Sequence, residues 1–162
     1  MSAFSLFLTL DGVNGESTAQ GHEGAIDLDT WAFGLSSSAN AGGGGGGVGR
    51  ALWDQIILTM PTTAALPQLM ALCASARVVH RGVLTAQSGH GEAPFVWLRL
   101  TLGDVRVAHV ASGASAPGDS SEDQVGLAFG TILVEKFSQA PDGSVGDPVA
   151  FGWDVRTNRR TK

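Results

Sequence analysis

The stretch FVWLRLTLGDVRVAHV, Phe95 to Val110, decides how the rest of the chain is read. Val96, Leu98, Leu100 and Leu102 alternate with Trp97, Arg99 and Thr101, the two-residue period of a strand with one buried face. Beyond Leu102 the apolar phase slips to Val105 and Val107. Gly103 lies at the slip, where a bulge or sharp bend is expected. Working outward, Val78 to Gln87 reads as the preceding strand, closed by the turn Ser88-Gly89-His90-Gly91. Val125, Leu127, Phe129, Thr131, Leu133 and Phe137 mark the following strand. Its other face starts with Gly126, Ala128 and Gly130, small enough for a second backbone to approach closely within or between subunits.

Four more segments carry strand patterning: Phe4 to Leu10, Ala25 to Leu35, Leu52 to Met60 and Val149 to Val155. Thr62 to Ala76 is the one convincing helix. It holds five alanines, and its apolar positions, among them Leu66, Leu69, Met70 and Cys73, recur every three or four residues. Thr63 is the expected N-cap, and Pro67 then falls in the first turn, where a missing N–H costs little. About seven strands and one helix predict a mainly β fold, a barrel or sandwich with a helix on its flank.

The 162 residues suit one domain. Charged side chains are 15% of the chain, against about 25% in ordinary globular domains. Glycine is abundant, with 23 residues, yet 43% of the chain is hydrophobic, so the composition is that of a folded protein. Low charge on a folded chain suggests a subunit whose surface is largely covered by other protein. The single cysteine, Cys73, excludes an internal disulfide framework and a zinc site built on several thiolates.

The net charge of −5 hides an asymmetry. Arg156, Arg159, Arg160 and Lys162 form a basic tail over 156–162, leaving 15 acids and 6 bases in a body over 1–155. An acidic body excludes nucleic acid as the expected partner. The tail reads as a solvated, frayed terminus. No run approaches the roughly 18 apolar residues of a membrane span, so no membrane insertion is expected. Phe4 to Leu10 is too short for a signal peptide and has no basic residue before it. If the protein leaves the cell, the general export pathway does not carry it.

The search for chemistry finds no catalytic, cofactor or metal set. Gly42 to Gly47 matches G-x-G-x-x-G only as any glycine homopolymer does. A phosphate-loop frame from Gly44 to Gly49 puts Arg50 where lysine is needed and Ala51 where a hydroxyl is needed. Cys73 sits among Leu69, Met70 and Leu72, the setting of an inert core thiol. His22, His80, His90 and His109 are scattered, and His22 and His90 read as surface-loop residues. Asp27 and Asp29 share a strand face, which reads as a solvated face. Trp31, Trp53, Trp97 and Trp153 fall in strands with Phe33, Phe95 and Phe151. Most read as core packing, and any turned outward as anchors between subunits.

Taken in order, the motifs resemble those of the Hcp family, the haemolysin-coregulated tube proteins of bacterial type VI secretion. Gly15-Glu16-Ser17-Thr18, Gly21-His22-Glu23-Gly24, Ile26-Asp27-Leu28 and Trp31-Ala32-Phe33-Gly34 are similar to its N-terminal signature. The glycine run, Ala65-Leu66-Pro67-Gln68-Leu69, Val125-Gly126-Leu127-Ala128-Phe129, Pro141-Asp142-Gly143-Ser144 and Phe151-Gly152-Trp153-Asp154-Val155 follow in the family's order. The likeness spans about Phe4 to Arg160. Leu66 stands where relatives often carry serine before the proline, and tyrosine is absent.

The resemblance implies a β-barrel of two antiparallel sheets with one flanking α-helix. It implies hexameric rings stacking into a hollow tube inside a contractile sheath. The tube is tipped by a spike protein and carries small effectors in its lumen. Assembly would be cytoplasmic, and secretion would need no signal peptide. On that footing Thr30, Ala32 and Gly34 are the expected lumen and cargo residues, while Gly126, Ala128 and Gly130 are candidates for the subunit interface. The loop from Ser38 through Gly42, Gly43, Gly44, Gly45, Gly46, Gly47 and Val48 to Arg50 is the expected ring-stacking segment. Ordering six glycines forfeits much backbone entropy, which contacts with the next ring would offset. A phage-type tail-tube subunit and a small secreted effector or toxin are the alternative readings.

Overall fold

A computed structural model describes residues 4–38, 49–89 and 93–162. The elements in chain order are β1 Phe4–Leu10, β2 Ile26–Leu28, β3 Thr30–Ala32, β4 Leu35–Ser37, β5 Ala51–Trp53, β6 Ile56–Pro61 and α1 Ala65–Ser75. There follow β7 Val79–Ser88, β8 Phe95–Gly113, β9 Glu122–Ala128, β10 Thr131–Lys136, β11 Val149–Asp154 and β12 Arg159–Arg160. The larger sheet runs β12-β11-β10-β8-β7-β1-β2, and the smaller runs β3-β6-β9-β8, with all ladders antiparallel. β4 and β5 form a separate two-stranded arm.

The long strand β8 serves both sheets. Its first half pairs with β7 and β10, and its second half pairs with β9. The expected bend at Gly103 is there, completed by Asp104 at φ 49. Gly103 accepts the Gly130 N–H at 2.9 Å where the two sheets part. The turn at Asp29 does the same service on the opposite side, because β2 pairs with β1 and β3 with β6. The mainly β architecture of two antiparallel sheets and one flanking helix is therefore as expected. The ladders do not close into a continuous barrel, since β2 and β6 share no ladder. One hydrogen bond, Asp29 N–H to Thr59 O at 2.8 Å, spans that gap.

Three expected strands are divided. Ala25 to Leu35 becomes β2, β3 and β4, because Asp29 turns the chain from one sheet into the other. Leu52 to Met60 becomes β5 and β6. The strand through Phe137 breaks at Phe129 and Gly130 into β9 and β10, which lie in different sheets. The apolar phase shifts by one residue at each break: Ile26 and Leu28 give way to Trp31, Trp53 to Ile56 and Leu58, and Val125 and Leu127 to Ile132. The shared core includes Leu8, Leu58, Leu84, Leu100, Leu127 and Ile132, all at most 2% exposed.

α1 covers this core with Ala65 and Leu69, while Cys73 is half-buried against it. Thr63 is not its N-cap. Ala64 holds that place with helical backbone and no side-chain cap, and Thr63 stands one residue earlier. There Thr63 accepts the Ala65 N–H through its hydroxyl at 3.3 Å. The tail is not frayed either. It folds back beside β11 as β12, and Gly152 exchanges hydrogen bonds with Thr161 and Lys162.

Candidate functional site

The smaller sheet has one buried and one outward face, set by residue parity. Trp31, Leu58, Val125 and Val110 lie in one row and point inward. The adjacent rows point out: Thr30, Thr59, Gln124 and Ala111 in one, Ala32, Ile57, Gly126 and His109 in the other. Thr30 and Thr59 join their hydroxyls at 2.7 Å. This face carries no carboxylate or guanidinium between Glu122 near one end and Arg106 near the other. Two of the three expected cargo residues, Thr30 and Ala32, are exposed on it. Gly34 lies beyond the strand, half-buried, accepting the Asp54 N–H at 3.0 Å, and a Cβ there would run into the Asp54 carboxylate. Sequence reading left out Thr59, Gln124 and His109. Their alternation with buried neighbours was the available signal.

The edges of this sheet matter as much as its face. β3 pairs only with β6, and β8 from Arg106 to Gly113 pairs only with β9. Two unlike strand edges therefore have no partner strand among the described residues.

Of the small-residue trio, Gly126 and Gly130 are buried by their own subunit. A Cβ at Gly126 would lie 2.5 Å from Gln55 Oε1 and 3.2 Å from His109 Cβ. At Gly130 it would lie 3.2 Å from Asp104 Cβ. Ala128 is half-buried and lines an open cleft with Val78, Phe129, Arg106 and Arg156.

Of the glycine-rich loop, Gly42 to Gly47 and Val48 lie outside the described residues. Its two ends are described. Ser38 N–H donates to Arg50 O at 3.1 Å, and Arg50 N–H donates to Ser38 Oγ at 2.7 Å, extending the β4–β5 arm. Leu35 and Leu52 on that arm are each 49% exposed.

His22 is not the free loop residue that its glycine neighbours suggest. Its ring stacks on Phe7, and Nε2 stands 3.0 Å from Gln87 Oε1. The motif Gly21-His22-Glu23-Gly24 thus fastens its loop over the outer face of the larger sheet. His90 lies outside the described residues. Among the described residues no three His, Cys, Asp or Glu side chains form a metal-holding group. No helix among them is long and apolar enough to cross a membrane.

A family model described as type VI secretion system effector, Hcp, matches residues 7–135. Protein hcp1 of Pseudomonas aeruginosa is 33% identical over 158 residues, covering 96% of this chain and 98% of that protein. A solved structure of a type six secretion system protein matches with a TM-score of 0.88 at 23% identity, covering 98% of this chain and all of that one. Hcp1 from Salmonella typhimurium matches with a TM-score of 0.78 at 24% identity, covering 99% of each chain. At those identities the two structures speak for the fold.

Proposed function

Because this chain belongs to the Hcp family of type VI secretion proteins, we propose that it is a structural tube subunit rather than an enzyme. Six copies close a ring, and rings stack into a hollow tube assembled in the bacterial cytoplasm. A contractile sheath drives the tube out behind a spike protein, with small effectors in its lumen, and no signal peptide is used. The observation that carries this reading is the smaller sheet. Its two unlike free edges, β3 and the end of β8, suit a head-to-tail contact, the kind that closes into rings. Its outward face of hydroxyl, amide, imidazole and small side chains, with the half-buried Ile57 among them, has no large exposed apolar patch among the described residues, as a passage for cargo requires.

On this reading Thr30 and Ala32 line the lumen, with Thr59 and Gln124 beside them. Ala128 serves contact between copies through its cleft, and the segment from Ser38 to Arg50 also reaches the next ring. The body over 1–155 makes the ring, and the tail over 156–162 belongs to its rim. Electron microscopy of the purified protein tests the proposal. Six-fold rings with an open centre, stacking at high concentration, are expected. A field of compact particles without a lumen would contradict it.

A further inference from the structure

β10 and β11 are paired over six residues, from Thr131 opposite Asp154 to Lys136 opposite Val149. The two ends of this hairpin therefore stand about 17 Å apart, and they differ in charge and polarity.

One end is basic. Register places Arg81, Gly103, Thr131, Asp154 and Arg159 in one row across β7, β8, β10, β11 and β12. Arg106 stands beside that row and reaches the Ala76 carbonyl at 3.5 Å. Arg156 is held by Asp104 at 2.9 Å and Asp154 at 3.8 Å. Arg77, Arg81, Arg106, Arg159 and Lys162 have no Asp or Glu carboxylate within ion-pair distance among the described residues, while Arg160 Nε donates to Lys162 O at 2.6 Å. Between Arg106 and Arg156 opens a cleft of about 410 Å³, floored by Val78, Ala128 and Phe129, with the Asp104 carboxylate on its wall neutralised by Arg156.

The other end is acidic with an apolar knob. Val149 is 79% exposed and Val145 is 52% exposed, next to Asp142 and Asp147. The turn that presents them is built rigidly. Asp142 Oδ1 accepts the Ser144 N–H at 2.9 Å, Ala140 N–H donates to Ser144 O at 2.9 Å, and Gln139 bridges Val145. Lys136, opposite Val149 in the ladder, is turned away onto the Phe137 carbonyl and the Trp97 ring.

We propose that these two ends dock copy to copy, the Val145 and Val149 knob of one subunit entering the cleft over Val78 and Phe129 of the next. Asp147 and Asp142 then lie against Arg106 and the unpaired cations around it. The partner is a second copy of this chain, and the inference rests on the tube reading above. Because the two surfaces differ, the contact is head-to-tail, and set between rings it repeats along the stack. Every ring in a stack then faces the same way. A single exposed ion pair changes association by a factor of about two. Six such pairs around a ring multiply that to roughly 60-fold, and salt screens it.

A charge exchange tests this. Rings of Asp147→Arg alone and of Arg106→Glu alone should each associate about 60-fold more weakly than the unaltered protein, by light scattering at low salt. An equal mixture of the two should recover, because each altered end then meets an opposite charge. Unaltered association of either variant, or a mixture as weak as its parts, would overturn the proposal. Native mass spectrometry of each variant separately reads the six-fold state, so a failure of the ring and a failure of the docking are told apart.

Discussion

The imidazole of His22 lies flat on the ring of Phe7, with centroids 4.0 Å apart and planes 5° from parallel. Phe7 belongs to the outward side of β1, opposite Asp27 and Thr85, yet it is only 4% exposed. The loop from Gly12 to Gly24 covers it. That loop is closed on itself by Gly15 N–H to Gly24 O at 2.8 Å and Gly24 N–H to Ser17 O at 2.9 Å. His22→Ala removes the ring contact and the Gln87 hydrogen bond together. A loss of about 1–2 kcal/mol is expected, with faster amide exchange confined to this loop. Chemical denaturation and hydrogen exchange read both, and unchanged exchange at the Gly24 amide would show that His22 does not hold the loop.

Such a covered face was not legible from residue types. The alternation in Phe95 to Val110 gave the strand and its bend, because each inward position there is apolar and the slip falls at a glycine. The parity of Thr30 and Ala32 against Trp31 was readable for the same reason. The turn at Asp29 has its own slip, from Leu28 to Trp31, but no glycine marks it, and the short runs on either side read as one strand. The charge segregation was seen only as a tail. Arg81 and Arg106 join it through register between strands distant in sequence.

Ala32→Gln places a long amide on the outward face of the smaller sheet without touching the core, since Ala32 is exposed. Rings should form normally, and retention of a cognate effector should fall several-fold in a pull-down with purified rings. Unchanged retention would remove Ala32 from the cargo surface.

The glycine-rich segment is closed at its base by Ser38 and Arg50. Replacing Gly43 to Gly46 by two residues should leave the six-fold state intact and abolish tube formation and secretion. Normal secretion of the shortened variant would make the segment a passive spacer.

Asp154 is held below the usual carboxylate range by the Thr157 N–H, with the Arg156 N–H and the Arg156 charge adding to it. The charged form is therefore favoured in the folded chain. Its stabilisation of the turn from Asp154 to Thr157 is fully present above the ordinary Asp value, about 3.9, and is lost as the pH falls through the lowered value. Amide signals of Arg156 and Thr157 should shift below that range. Asp154→Asn should lessen the change, and an identical acid profile in that variant would assign it to another group.

The central claim is a ring of six. Native mass spectrometry of dilute protein reads it directly: the account predicts one dominant species at six times the subunit mass of 16.6 kDa. An obligate interface of the kind proposed buries about 2,000 Å² or more, so that species should persist on dilution. A stable monomer at micromolar concentration would contradict the account.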